Sequence, residues 1–215
     1  MGVTFGSYHS KNNFHLDYLH KEISSPEPKT NVVSIPLTNG DIDLTDRMTG
    51  GQPVFGNRNL MFQFELRSMR SSWISDHANI MKALHGRVMD VTLDEDSNYR
   101  WRGRVTVGGL EDHGFTAGLT INVDAYPYKW SKTAENTLNY ASVGTRTVSI
   151  NVTSDIAIPK FTVTNNCEIT YRNQVYVATS QVPSPPGLVF LKGNSQSLKL
   201  AGSGSCKVEW FGGGL

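Results

Sequence analysis

Cysteine is nearly missing from this 215-residue chain, with Cys167 and Cys206 its only two. Two thiols are too few for a disulfide-built scaffold, and these lie too far apart in sequence for a local metal knuckle. Both read as free thiols among apolar neighbours. Excess charge is missing too. Lys and Arg number 20 against 19 Asp and Glu, for a formal net charge of +1. That balance excludes a global electrostatic pull toward nucleic acid or an anionic membrane. No apolar run approaches the ~20 residues that span a bilayer, and the N-terminus lacks the basic region and apolar core of a signal peptide. Synthesis in a cytosol is therefore expected. Long helical periods are scarce as well.

What the chain does have is 20 glycines, nine prolines and many short alternating runs. That combination points to an all-β architecture with one helix, in one large or two small domains. Residues 1–130 hold 13 basic and 15 acidic side chains, and residues 131–215 hold seven and four. Residues 3–20 read as strand, turn and strand. Pro26 and Pro28 fix φ and withhold two amide donors, so the following arm is extended and excluded from a sheet interior. Val32, Val33 and Ile35 form a β-prone run stopped by Pro36. Asn39-Gly40 turns the chain, after which Ile42 and Leu44 alternate with Asp41, Asp43 and Thr45. A loop is expected from Arg47 to Gly56.

Leu60, Phe62, Phe64 and Leu66 alternate with polar neighbours and predict a half-buried strand. The spacing of Trp73, His77, Ile80 and Leu84 predicts a helix over 72–85. Ser71 or Ser72 would cap it, Asp76 would favour its dipole, and Gly86 would end it. His77 is expected to face the sheet with its ring hydrogen-bonded. A hairpin follows: Met89, Val91 and Leu93, an acidic turn at 94–98, then Tyr99, Trp101, Gly103, Val105 and Val107 on one face. Arg100, Arg102 and Arg104 occupy the other face. After a Gly-rich loop at 108–114, Phe115, Ala117, Leu119, Ile121 and Val123 repeat the pattern. Residues 131–146 lack a period and read as a linker. Short strands from 147 to 215 read as a small antiparallel sandwich.

Several of these stretches carry a family likeness. Pro26-x-Pro28-Lys29-Thr30, Ile35-Pro36 and Gly40-Asp41-Ile42-Asp43-Leu44-Thr45 come first. Arg58-Asn59-Leu60 with Phe62 and Phe64, Leu84-His85-Gly86, Leu93-Asp94-Glu95-Asp96, Tyr99 and Gly103-Arg104 follow in order. The ordered set resembles the distal tail protein family of long-tailed bacteriophages over roughly residues 1–130. The resemblance implies an N-terminal β-sandwich-like ring domain (1–130) and a C-terminal galectin-like sandwich (147–215) pointing outward. It also implies a homohexameric ring at the virion tail tip, made in the bacterial host cytoplasm. That ring would join the tail tube to a tail-associated fibre or lysin protein and to receptor-binding or baseplate proteins. Neither cofactor, metal nor catalytic residue is implied.

The residues nominated for assembly contacts are Pro26, Pro28, Lys29, Thr30, Asp41, Asp43, Leu44, Arg58, Arg100, Arg102 and Arg104. The arginine stripe suits phosphate or a neighbour's carboxylates. The blander reading is an exposed face paired to Asp94, Glu95 and Asp96 or to the facing strand. Six histidines show no i, i+4 pair with an adjacent glutamate, so a zincin helix is not indicated. Asp41, Asp43 and Asp46, like Asp94, Glu95 and Asp96, lack the glycine and distal glutamate of an EF-hand. No Gly-x-Ser-x-Gly elbow marks a hydrolase. A glycan hydrolase would have only Glu135, Asp155, Glu168 and Glu209 to draw on in the second part, with no paired-carboxylate motif among them. The remaining alternative is a carbohydrate-binding module in residues 147–215 adhering to cell-wall glycans, with Trp210 as the stacking residue.

Overall fold

Alternating runs become strands along the chain, which the computed structural model describes over residues 1–36, 39–45 and 53–215. Asp46 and residues 47–52 of the loop expected from Arg47 to Gly56 lie outside the described residues. Two units are separable: Met1–Pro127 with Leu215, and Tyr128–Gly214.

The first unit contains strands β1 (Val3–Phe5), β2 (Tyr8–His9), β3 (Leu16–Ile23), β4 (Val32–Ser34), β5 (Asp41–Asp43), β6 (Arg58–Leu66), β7 (Val88–Leu93), β8 (Tyr99–Asp112) and β9 (Ala117–Ala125). Among the described residues its α-helices are α1 (Ser10–Phe14) and α2 (Trp73–Leu84). The antiparallel sheet runs β2-β1-β7-β8-β9-β6-β3, while β4 pairs with β5 alone. On β6 the predicted period of two holds: Leu60, Phe62, Phe64 and Leu66 are buried and sit opposite Val123, Ile121, Leu119 and Ala117 of β9. Phe5 meets Phe62 and Phe64 edge-on, with centroids 5.9 and 6.4 Å apart. Each such side chain contributes about 1.5–3 kcal/mol by leaving water.

Helix α2 covers this core with Trp73, Ile80 and Leu84. Two histidines tie it to β8. A ring nitrogen of His77 hydrogen-bonds the Gly108 carbonyl at 2.9 Å, and Nδ1 of His85 accepts the Val107 amide at 3.1 Å. These bonds fall at a β-bulge, where the β8–β9 register shifts between Val107 and Leu110. Gly108 and Gly109 therefore belong to a strand, not to the loop expected at 108–114. A bulge frees one amide and one carbonyl from the ladder, and here the helix takes them up. His85 is the extended C-cap and Gly86 follows at φ 75°, the expected glycine stop. The N-terminus departs from expectation. The Ser72 hydroxyl lies within hydrogen-bond distance of two acceptors, the Met69 carbonyl and the Asp76 carboxylate, and caps no helix amide.

Two further differences have local causes. Residues 10–14 form a helical turn rather than strand and turn, because Nδ1 of His9 accepts the amides of Lys11 and Asn12. Phe115 is 99% exposed in the turn before β9, so the buried alternation begins only at Ala117.

The second unit contains β10 (Lys129–Ser131), β11 (Asn136–Tyr140), β12 (Gly144–Val163), β13 (Cys167–Tyr171), β14 (Gln174–Ala178), β15 (Phe190–Gly202) and β16 (Cys206–Gly214). All pairings are antiparallel. β12 pairs with β15 along its first part and with β16 along its second, with register shifts between Ile150 and Ile156. The runs around Val148 and Phe161 are thus one bent strand. β13 links β14 to β15. The segment expected as a linker is not one: β10 and β11 both pair with β16, and Leu138 and Tyr140 pack on this unit's core. A polar strand at a sheet edge lacks the apolar period that sequence reading depends on.

Gly103 has little room for a side chain between β8 and β9. A Cβ there would lie 2.5 Å from the Asp124 carbonyl oxygen and 2.6 Å from Ala125 Cα, both backbone atoms that cannot swing away. Gly103→Ala is expected to destabilise the first unit by about 1–3 kcal/mol, read as a lowered melting temperature in calorimetry. An unchanged transition would show that β8 and β9 separate freely.

Candidate assembly surfaces

The proline arm is held by its own backbone. Lys29 N–H donates to the Val54 carbonyl (2.7 Å), Gly56 N–H donates to Glu27 (2.8 Å), and Pro28 forms a lone antiparallel bridge with Phe55. Beyond it, β4 and β5 pair Val32 with Asp43, Val33 with Ile42 and Ser34 with Asp41. Opposed residues share a face. Val33 and Ile42 therefore lie on one side, with Val32, Ser34, Asp41 and Asp43 on the other. Gly40, at φ 80°, supplies the left-handed position near the turn. Leu44 N–H returns to the Asn31 carbonyl, and the Asn31 amide donates to the Thr45 hydroxyl. The Thr45 hydroxyl and amide hold the Asp43 carboxyl below its ordinary range.

All six residues of β4 and β5 are exposed, and no described residue from 24 to 57 joins the hydrophobic core. Val32 is 50% and Ile42 46% exposed. A two-stranded ribbon with neither face covered is marginal in water. Apolar residues on such a ribbon make it a candidate contact surface.

The second surface is the outer face of β8. Arg100 and Arg102 both donate to one carboxylate, Asp90 of β7, at 2.8 and 3.1 Å. Arg104 donates to the Gly86 carbonyl and stands opposite Asp124 of β9. The stripe is thus paired to the facing strand and not to the acidic turn. In that turn, Asp94 pairs with His9 and Glu95 with Lys21. At Arg102 and Arg104 opens a hollow of about 220 Å³ lined also by Asn57, Val88, Gly103, Asp124 and Tyr126. Exposed pairs of this kind add little stability, so the face is available to an incoming carboxylate at small cost.

Two nominated residues sit elsewhere. Arg58 occupies an inward position on β6, opposite Ala125, and is only 8% exposed. Its buried Nε has no hydrogen-bond partner, and burial holds its guanidinium below the ordinary range. Trp210 is not an exposed stacking residue. It is 1% exposed, packs edge-on against Phe190 and donates to the Asn151 carbonyl. Its place on alternating strand β16, between the buried residues Val208 and Gly212, turns it into the core. Trp73, Trp101 and Trp130 are buried as well. With them the glycan reading loses its carrier. Among the described residues, no three of His, Cys, Asp and Glu gather as a metal site.

Three exposed apolar side chains are not among the residues that the sequence points to. Met69, Ile74 and Phe115 are among the most exposed large apolar side chains, and the ion pair from Arg70 to Asp112 (2.5 Å) ties the segment before α2 to the end of β8. Ile74 was legible, since it falls off the buried stripe of the helix. Phe115 was not, because a continued alternation placed it inward.

No protein-family model and no curated protein sequence matches the chain. The fold does match a solved structure, the SPP1 Dit protein, described as a paradigm of the hub adsorption apparatus in phages infecting Gram-positive bacteria. The match has a TM-score of 0.61 at 10% sequence identity and covers 100% of this chain and 99% of that one. The fold class is therefore an all-β, Dit-like one.

Arg58 separates fold from assembly. A buried cation lacking a partner at Nε opposes folding of the single chain. Arg58→Met is expected to raise the melting temperature of the monomeric protein, measured by circular dichroism. A fall would mean that the guanidinium supports the fold itself.

Proposed function

We propose that this chain is a structural component of a long-tailed phage tail tip, a non-enzymatic hub that joins the tail tube to baseplate, fibre or receptor-binding proteins. The observation that carries this reading is the end-to-end correspondence of its fold with that of the SPP1 Dit hub protein. The exposed ribbon and arginine face support it, as both are surfaces suited to protein contacts. Residues Pro26 to Thr45 with Arg100, Arg102 and Arg104 form the subunit contacts of a homohexameric ring, and the second unit is a galectin-like module. Closing a ring takes heterologous patches on each subunit. The Asp41 and Asp43 face of the ribbon is complementary in charge to the arginine face, which makes these two the paired patches.

Light scattering on the purified full-length protein, followed by negative-stain imaging, tests the ring. Six-subunit particles are expected. A strict monomer at every concentration, alone and with the tail tube protein, would overturn the assembly.

The ribbon gives a sharper test. Val33→Asp with Ile42→Asp alters two exposed side chains that join no core, so the melting temperature should stay within about 0.5 kcal/mol equivalent. The ring should be lost in sedimentation velocity. Retention of the ring by the double variant would remove the Val33 and Ile42 side of the ribbon from the interface.

A further inference from the structure

The second unit holds a pair of thiols that the hub role does not use. Cys167 opens β13 and Cys206 opens β16, each as the first strand residue after a short turn. The two turns, 164–166 and 203–205, lie side by side. Thr164 N–H donates to the Ser205 carbonyl at 3.2 Å, and Ser205 N–H donates to the Thr164 hydroxyl at 3.0 Å. Strand register closes the arrangement from both sides: Val163 stands opposite Cys206, and Cys167 stands opposite Gly202. Gly202 fits there because a Cβ would come within 3.3 Å of Cys167 Cα and 2.8 Å of the Asn166 carbonyl oxygen. Both thiols are buried in the same cluster, with Ile169, Leu200 and Val208.

We propose that Cys167 and Cys206 are a disulfide-forming site, oxidised within the chain by exchange with a low-molecular-weight disulfide. The link would join β13 to β16 directly beneath the paired turns. The exchange balances in two steps. The Cys167 thiolate attacks a sulfur of the small disulfide and releases one small thiolate. Cys206, giving up its proton, then attacks the Cys167 sulfur and releases the second. Two S–H bonds are lost, one S–S bond forms, and the two electrons leave in the reduced small thiols.

The pair is asymmetric in a way that assigns these roles. A hydrogen bond from Cys206, helped by the Ala201 backbone, brings the Cys167 thiol down to about 7. The same bond and burial push Cys206 up. The lowering favours the Cys167 thiolate, which takes the attacking role in the exchange. Both thiols are buried, and the exposed residues 164–166 and Ser203 lie in the turns that precede them, so the exchange takes place as these turns open.

The test is oxidation of the full-length native protein with oxidised glutathione, read by non-reducing tryptic mass spectrometry. Trypsin releases Cys167 in the peptide 161–172 and Cys206 in 200–207. The expected result is these two peptides joined, a loss of about 2 Da from the intact mass, and no glutathione retained. The oxidised protein should melt roughly 10 °C higher in the second unit's transition, reversed by dithiothreitol. Cys206→Ser should instead hold one glutathione on Cys167, since no resolving sulfur remains. Two persisting free thiols, stable glutathione adducts on both cysteines, or links only between chains would each overturn the proposal.

Discussion

Close antiparallel contact of β9 with β6 on one side and β8 on the other is the constraint on which the first unit depends. Ala125 stands opposite Arg58 and Gly103 together, and the inward side chains of β6 and β9 face one another along both strands. Everything else in that unit is fitted to this ladder. The β8 bulge turns one carbonyl and one amide to the histidines of α2, which fixes the helix over the sheet. The outer face of β8 is left to its arginines. Burial of the inner face and exposure of the outer are one consequence of the strand period.

The ribbon of β4 and β5 stands outside that constraint. No core side chain comes from it, its strands are short, and its apolar residues face solvent. Folding of the sheet does not pay for ordering it. Its own hydrogen bonds, the Pro28 bridge and the Asp43 to Thr45 contacts specify a shape without supplying a hydrophobic driving force. Such a segment gains its stability from what covers it, which is why it is a better candidate for assembly than any cleft on the chain.

How much of this was legible follows from where the physics is local. Strands β6, β8 and β9 and helix α2 announce themselves because burial on one face imposes a period, and the Gly86 stop and His77 contact follow from helix geometry. The ribbon was legible through Pro26, Pro28 and Asn39-Gly40, residues that set backbone angles directly. Failures lie where a distant partner decides. Lys129–Ser131 and Asn136–Tyr140 have no apolar period, and only pairing with β16 makes them strands. Gly108 and Gly109 look like loop residues until the helix histidines take the atoms that the bulge releases. Trp210 looked exposed beside glycines that in fact admit Glu135, Ser154 and Trp130 into close contact with the strand. Of the nominated contact residues, the arm and the β8 stripe are on the surface and Arg58 is not. Its inward position follows from parity with Leu60 and Phe62, a count that the charge of the side chain concealed.

The ribbon and the arginine face also set a condition on any ring built from this chain. A heterologous contact closes only if its two patches differ, since like patches would pair as a dimer and stop. Here they differ in chemistry. One is a two-stranded ribbon with apolar residues and aspartates, and the other is a strand face with three arginines sharing few carboxylates. The Asp90 carboxylate already accepts from two guanidiniums, which leaves Arg104 and the hollow beside it as the part of the face with donors to spare. A ribbon aspartate entering there exchanges solvated ions for a charge-assisted bond at a site of modest burial, which contributes direction more than affinity. On that side of the ribbon Val32 is the apolar side chain left to add affinity, while Val33 and Ile42, on the opposite side, are uncovered surface for a separate contact.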